Sequence, residues 1–402
     1  MSNEAVNTVI TLAVLLSLAW ALYRPRVQQS SRYQALVVPL ANIMDVGFIV
    51  LSPIIVGLVG YAAPLFMLAI CLLAIAMGFV IAYNIRNFVP IESTATGALS
   101  FLSGASSWSL TGASVVNIAY YAQVLMTLIL LPLSLYSAGT TTTTSAILLG
   151  LLAAYGVLFG LSRLNSIGDK MTAFSLAAIT AVVVAFVVFN IQEALGGRFD
   201  FPSYSPVVDG DTLRQLLGFF AIVQGFEASR YLGKRFSADE KISTMRLAQY
   251  IASVTFVVFL ASILILFVDL RPKLDQSAVF DVADAVIPVL PFILIAAAIA
   301  SEFSAITNAV VSRSGLLVEA SRGRLSRRAT FPLLLVPAIL VTLLTDVQAA
   351  VALASRVFAL YYFLQSAMAV LLAFRGREWG KVVAFGAIGT AMAIIMVFGI
   401  SS

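Results

Sequence analysis

Histidine occurs nowhere in the 402 residues, and cysteine occurs once, at Cys71. The first absence removes histidine-based triads, histidine-ligated metals and histidine proton relays. The second removes an intrachain disulfide and a structural zinc site. Charge is scarce as well: Asp, Glu, Lys and Arg make up 11% of the chain, against roughly 25% in a soluble domain. No His-Glu-x-x-His or Gly-x-Ser-x-Gly pattern is present, so an intramembrane enzyme has no motif to build on, and no cofactor is expected. The net charge of +5 comes from basic residues in the loops of one side, and nucleic acid is not an expected partner.

What the chain does contain is hydrophobic sequence, 61% of its residues. A surface of that composition faces lipid, and a bilayer span takes roughly 20 residues. Apolar runs fall at 5–23, 34–60, 61–83, 105–136, 144–162, 171–191, 212–232, 247–270, 285–318, 330–345, 350–374 and 380–400. The expected fold class is therefore an all-α polytopic membrane protein with twelve transmembrane helices. The run 285–318 is long for one span and extends beyond the membrane on one side. The stretch 140–144, rich in threonine, and the polar stretch 196–211 read as external loops.

Loop charge sets the orientation. With the N-terminus outside, eighteen Lys and Arg residues fall in inside loops, and only Arg198, Arg214, Arg271 and Lys273 fall outside. That asymmetry follows the positive-inside rule and places both termini on the extracytoplasmic side of an inner or plasma membrane. Arg313 and Arg356 are left within or near spans, where snorkelling to an interface is the simplest reading. The first apolar run has no basic residue before it and ends in Arg24-Pro-Arg26, which fits a retained helix with its C-terminal end inside.

Two spans are interrupted by polar residues and glycine. The first carries Asn42-Ile-Met-Asp45-Val46-Gly47-Phe48, and the second Phe220-Ala221-Ile-Val-Gln224-Gly225-Phe226-Glu227. A carboxylate near the bilayer centre costs at least about 2.5–3.5 kcal/mol on insertion scales, so two of them require a reason. Glycine lets each helix unwind and expose backbone to a ligand. With the first helix set aside, Asp45 lies in the first of five consecutive spans and Glu227 in the first of the next five. Such placement marks an inverted-repeat transporter with its site at the midplane; the alternative is two polar kinks satisfied by neighbouring helices. A third cluster, Ser301, Glu302, Ser304, Thr307 and Asn308, lies on the long span. Of these, Ser301, Ser304 and Asn308 share one helical face, and that face either binds a ligand or packs against helices.

These stretches resemble the amino acid–polyamine–organocation (APC) transporter superfamily, which has the leucine-transporter fold. Asn42 to Pro53 is similar to its first broken helix. The stretch from Phe219-Phe-Ala221 to Gly225-Phe226-Glu227 is similar to the Phe-x-x-x-Gly-Phe-Glu signature of its sixth core helix. Ser304 to Arg313, followed by Ala320-Ser-Arg322-Gly323-Arg-Leu325, is similar to its eighth core helix. The glycine-bearing stretch 97–112 before the third core helix also fits. The resemblance implies a leading helix and loop over 1–33 and a transporter domain over 34–402. Its repeats are expected at about 34–191 and 212–374, with a final helix at 380–400. It further implies substrate contacts from Asn42, Asp45, Val46, Gly47, Phe48, Phe220, Ala221, Gln224, Gly225 and Phe226, with Tyr120 and Tyr361 as aromatic gates. Asp45, Glu227, Glu302, Ser304 and Thr307 become candidates for coupling transport to H+ or Na+.

Two departures from the family pattern matter. Asp45 stands where amino-acid transporters place a glycine whose surroundings receive the substrate carboxylate. The same Asp-x-Gly occurs in related monoamine transporters and resembles the Asp-Pro-Gly-Asn of divalent-metal transporters. No Met or His lies near Gln224–Glu227 and Phe48 replaces the Asn, which disfavours a metal substrate. The fifth core helix, 173–189, also lacks the Lys found in some proton-coupled members. The expected function is secondary active transport of a small organic solute, an amino acid or amine, by alternating access. A divalent-cation transporter of the same fold is the alternative. A non-transporting solute sensor is the alternative of another class, which the short termini disfavour.

Overall fold

The computed structural model describes residues 3–197, 208–232, 235–267, 278–320, 324–326 and 328–400. Arg198, Lys234, Arg271, Lys273, Arg322, Gly323 and Arg327, the Arg163 side chain and most of the polar loop at 196–211 lie outside these described parts.

The order of helices is α1 (Asn3–Tyr23), α2 (Pro25–Gln28), α3 (Ser31–Ile43), α4 (Gly47–Val59), α5 (Ala63–Asn87), α6 (Ala98–Leu130), α7 (Ala138–Phe159) and α8 (Leu161–Leu195). Then follow α9 (Gly210–Gly218), α10 (Ala238–Ile263), α11 (Ala278–Val286), α12 (Leu290–Ala320), α13 (Thr330–Leu344), α14 (Val347–Arg375) and α15 (Trp379–Phe398). Among the described residues nine helical stretches are long and apolar enough to cross a membrane, and one of them, Ser31–Asn87, holds two crossings. The broken segment that starts with α9 and the shorter apolar helix α13 bring the total to twelve spans.

Successive spans alternate in direction, and the ends that touch agree with this. At one end of the bundle Tyr23 donates to the Lys170 carbonyl at 2.6 Å, Arg86 pairs with Asp239 at 2.7 Å, and Tyr83 donates to Glu378 at 2.6 Å. At the other, Gln192 donates to the Asn3 carbonyl at 2.9 Å, and the Ile400 amide to the Arg214 carbonyl at 3.1 Å. The first end carries Arg24, Arg86, Lys170, Arg375 and Lys381 and is called the basic end below. Setting α1 and α2 aside, the spans from α3 to α8 number five, as do those from α9 to α14. Because five is odd, the second set enters from the opposite end, so the two sets are inverted repeats.

Two expectations change in detail. The threonine-rich stretch 140–144 is not a loop but the beginning of α7. Ser137 and Thr140 form a reciprocal capping box there, each side chain accepting the other's amide at 3.1 and 2.9 Å. That satisfies amides that would otherwise hold the helix open. Likewise the helix expected from the apolar run 105–136 starts earlier: α6 begins at Ala98, directly after Gly97, whose φ of +63° turns the chain into it. The two arginines left over from the loop-charge reading are placed as well. Arg356 donates to the carbonyls of Met396 and Val397 at 3.1 and 3.0 Å, capping the C-terminus of α15, where a cation is favoured. Arg313 is buried on α12.

Candidate functional site

The first break separates α3 from α4. Leu40 still accepts the Met44 amide at 2.8 Å, but Met44 has left the helical region with φ −90° and ψ 63°. The α4 amides nearest the break are held by carboxylates. Asp45 Oδ1 accepts the Gly47 amide at 2.8 Å. Val46 donates to Ser301 Oγ and to Glu302 Oε1, both at 3.2 Å. Glu302 is fully buried, and its other oxygen, Oε2, has no protein partner. Gly47 is required sterically, since a Cβ there would run into the Tyr120 hydroxyl and lie 2.8 Å from Asp45 Oδ1.

The second break follows α9, whose end tightens into a 3₁₀ turn over Phe219–Val223; a second such turn covers Phe226–Tyr231. Between them Gln224 is extended and Gly225 has φ +112°, a conformation that favours glycine. Glu227 Oε2 accepts the Gly225 amide at 2.9 Å and the Tyr362 hydroxyl at 2.6 Å. Phe226 stacks on Tyr362 with ring centroids 5.3 Å apart. Gln224 donates to Asn117 Oδ1 at 3.4 Å, and Asn117 donates to the Tyr121 hydroxyl at 3.2 Å. The two breaks abut: a Cβ on Gly225 would sit 2.6 Å from the Asn42 carbonyl oxygen.

A cavity of about 300 Å³ opens beside this junction, lined by Asn42, Asn117, Tyr121, Gly225, Glu227 and Arg313, among others. Arg313 donates through Nε to Ser114 Oγ at 2.7 Å and lies 5.7 Å from the centre of the Tyr231 ring. A second cavity of about 350 Å³ shares Val38, Asp169, Leu232 and Asn308 with the first and reaches Gln28 and Arg235. Together they form a polar path from the two breaks toward the basic end.

Of the residues expected at a site, Asn42, Gly225 and Glu227 line this cavity. Asp45, Val46 and Gly47 lie in the adjoining break with Glu302 and Tyr120. Gln224 reaches the cavity wall through Asn117. Phe48 instead packs in the core against Phe256 and Phe259, with centroids 4.4 and 5.4 Å away. Phe220 and Phe226 meet Tyr362, and the Ala221 amide donates to Ser355 Oγ at 2.7 Å. Tyr361 is fully buried, its hydroxyl 3.3 Å from that of Tyr231. Ser304 bonds to Thr172 on α8, and Thr307 donates to the Ser304 carbonyl at 3.0 Å. Sequence reasoning passed over Asn117, Tyr362 and the cavity role of Arg313. For Arg313 the signal was present: a cation inside an apolar span that faces protein marks function more often than an interface. Among the described residues no three of His, Cys, Asp and Glu gather closely enough to hold a metal ion.

The paired breaks and the cavity beside them are thus the candidate site. The profile of a family described as APC superfamily transporter matches residues 25–399 of the chain. The chain belongs to the APC superfamily of transporters. An uncharacterised protein of Aquifex aeolicus (strain VF5) is 29% identical over 388 residues, covering 93% of this chain and 92% of the relative. Among solved structures, a Na+-coupled sialic acid symporter is similar at a TM-score of 0.53 and 14% identity, covering 100% of this chain and 98% of that one. A variant of the Eremococcus coleocola manganese transporter is similar at a TM-score of 0.52 and 15% identity, covering 90% and 87%. At these identities the likeness is one of fold, and that fold is the leucine-transporter fold. The superfamily's members are transporters, not enzymes.

Proposed function

We propose that this APC-superfamily protein is a secondary active transporter of a small organic solute with an amino group, an amino acid in the first instance, coupled to H+ or Na+. What carries the reading is the presence of opposite charges in one cavity at the helix breaks. Glu227 suits an ammonium group and Arg313 suits a carboxylate, the planar guanidinium fork matching a carboxylate in shape. The α4 N-terminus is less suited to the solute's carboxylate, because Asp45 already holds the Gly47 amide there. Asp45 and Glu302 then serve the coupling ion. Two carboxylates on successive amides repel one another unless a proton or a cation lies between them. The unpartnered oxygen of Glu302 is a natural place for it.

In the proposed orientation the basic end faces the cytoplasm, both termini are extracytoplasmic, and the polar path is the inward route. Transport alternates this path with an outward one by rocking the broken helices against the rest of the bundle.

The test is uptake into proteoliposomes of three labelled probes: a ¹⁴C amino-acid mixture, ¹⁴C-ethanolamine and ¹⁴C-acetate, each under an imposed Na+ or pH gradient. Accumulation of the amino-acid label above the equilibrium level supports the reading. Accumulation of acetate alone overturns the assignment of substrate class, and binding without accumulation of any probe indicates a sensor.

A further inference from the structure

A groove of about 310 Å³ runs between α14 and α15, from Phe363 to Phe374 on the first helix and from Phe385 to Thr390 on the second. Phe363, Phe374 and Thr390 are exposed, so the groove opens on the lipid-facing side of two membrane-crossing helices. Its two hydroxyls are bonded inside the protein, Ser366 to Met77 Sδ at 3.7 Å and Thr390 to the Gly386 carbonyl at 3.0 Å, which leaves an apolar wall. A Cβ on Gly386 would meet no atom within 4 Å, so the space in front of it is open. The stretch of α14 along the groove rises about 16 Å at 1.5 Å per residue. That is close to the hydrocarbon depth of one leaflet, half of the roughly 30 Å core.

At the basic end the groove runs into the turn that joins the two helices. There Phe374 meets the exposed Trp379 edge-on, with centroids 5.3 Å apart, as aromatics do at a membrane interface. The turn carries Arg375, Arg377 and, one turn into α15, Lys381, against the single carboxylate Glu378. Both oxygens of Glu378 are taken, by Tyr83 at 2.6 Å and Lys381 at 2.8 Å. Arg375 and Arg377 are exposed and have no ion pair among the described residues. Arg377 also has φ +57°, while the neighbouring Gly376 keeps an ordinary φ of −78°. The Glu378 amide donates to the Ala373 carbonyl at 2.9 Å and the Arg377 amide to the Phe374 carbonyl at 3.0 Å. This is the helix ending in which glycine normally holds the left-handed position. An arginine there is a strained choice that aims a charge from the mouth of the groove.

We propose that the groove and the turn form a binding site for an anionic phospholipid, with one acyl chain in the groove and the phosphate at Arg375 and Arg377. A guanidinium fork matches a phosphate in shape and charge, and basic pockets between membrane helices suit anionic headgroups. A second copy of the chain packed symmetrically on this face would bring its own Arg375 and Arg377 to the same level, like charge beside like charge. The inference does not rest on the transport reading, since none of these residues belongs to the helix breaks.

The experiment uses the full chain with Trp20→Phe and Trp108→Phe, so that Trp379 is the one tryptophan left. It is reconstituted in vesicles of chain-brominated phosphatidylcholine, which quench its fluorescence. Unbrominated phosphatidylglycerol or unbrominated phosphatidylcholine is then added in increasing proportion. Phosphatidylglycerol is expected to relieve the quenching at a mole fraction about tenfold or more lower than phosphatidylcholine does. Arg377→Gly removes one charge and suits the left-handed backbone better, so about fivefold of the preference should be lost with no fall in melting temperature. Gly386→Leu leaves every charge in place and fills the groove, and as a helix-favouring change into open space it should keep the fold. It should also reduce the preference. Equal relief by the two lipids overturns the proposal, as does an unchanged preference in Arg377→Gly or in Gly386→Leu. Trp379 left unquenched in brominated lipid, with a particle mass of two chains, assigns the face to a second copy and overturns it as well.

Discussion

The Asp45 carboxylate accepts the amide of Gly47 at 2.8 Å, across one intervening residue. The second break repeats this in reverse, with the Gly225 amide donating to Glu227 at 2.9 Å, again across one residue. Asp-x-Gly in one repeat is answered by Gly-x-Glu in the other. Each break thus keeps one of its freed amides satisfied by a side chain, which is what allows backbone to be unwound at membrane depth.

Gly225→Ala is expected to be the most damaging single methyl at the site. It forces a side chain into a φ of +112° and places a Cβ 2.6 Å from the Asn42 carbonyl oxygen. Strain of this kind costs roughly 1–3 kcal/mol before any clash is counted. Thermal unfolding in detergent should show a lower melting temperature, and uptake should fall to background. A variant as stable and active as the wild type would mean the breaks do not abut.

Arg313→Met is expected to abolish uptake of the amino-acid label while leaving gradient-driven movement of the coupling ion measurable. Arg313 lines the cavity with Glu227 but lies outside the Asp45 and Glu302 pair. Loss of both activities together, with the protein still folded, would place Arg313 in the coupling machinery instead.

Glu92→Gln tests the network that holds the second break at the basic end. Arg230, with its side chain only 3% exposed, pairs with Glu92 at 3.1 Å and also bonds to Gln365. Gln365 in turn donates to Ser106 at 2.5 Å and accepts from Asn84 at 2.9 Å. Removing the counterion of a buried arginine should cost about 1–3 kcal/mol, less than for a fully buried pair because Glu92 is partly exposed. Hydrogen exchange is expected to rise first in residues 226–231.

Ser137→Ala removes one half of the capping box at the start of α7. A loss of about 1 kcal/mol is expected, measurable as a lower melting temperature, with uptake unchanged because α7 does not line the cavity.

The breaks were legible in the sequence because a carboxylate beside a glycine inside an apolar run is costly in lipid unless the helix opens there and the charge faces protein or a ligand. The five-and-five order followed from counting runs. Phe48 was not legible: next to a break, sequence cannot tell which side of the helix faces the ligand, and here it faces Phe256 and Phe259 on α10. Tyr362 and Asn117 were hidden for another reason. Each is an ordinary residue in an apolar helix until folding brings it to a partner, Glu227 or Gln224, more than a hundred positions away. The threonine stretch at the start of α7 misled because its helical signal is the cap at Ser137, while threonine itself is a poor helix former.

The most direct measurement is uptake of the ¹⁴C amino-acid mixture into proteoliposomes by the wild type and by Asp45→Asn, run as gradient-driven accumulation and as exchange at equal concentrations. Asparagine can still accept the Gly47 amide, so the break is expected to keep its shape and only the charge is lost. The expected result is at least tenfold weaker accumulation in the variant with exchange preserved. Accumulation by Asp45→Asn equal to that of the wild type would contradict coupling at the first break.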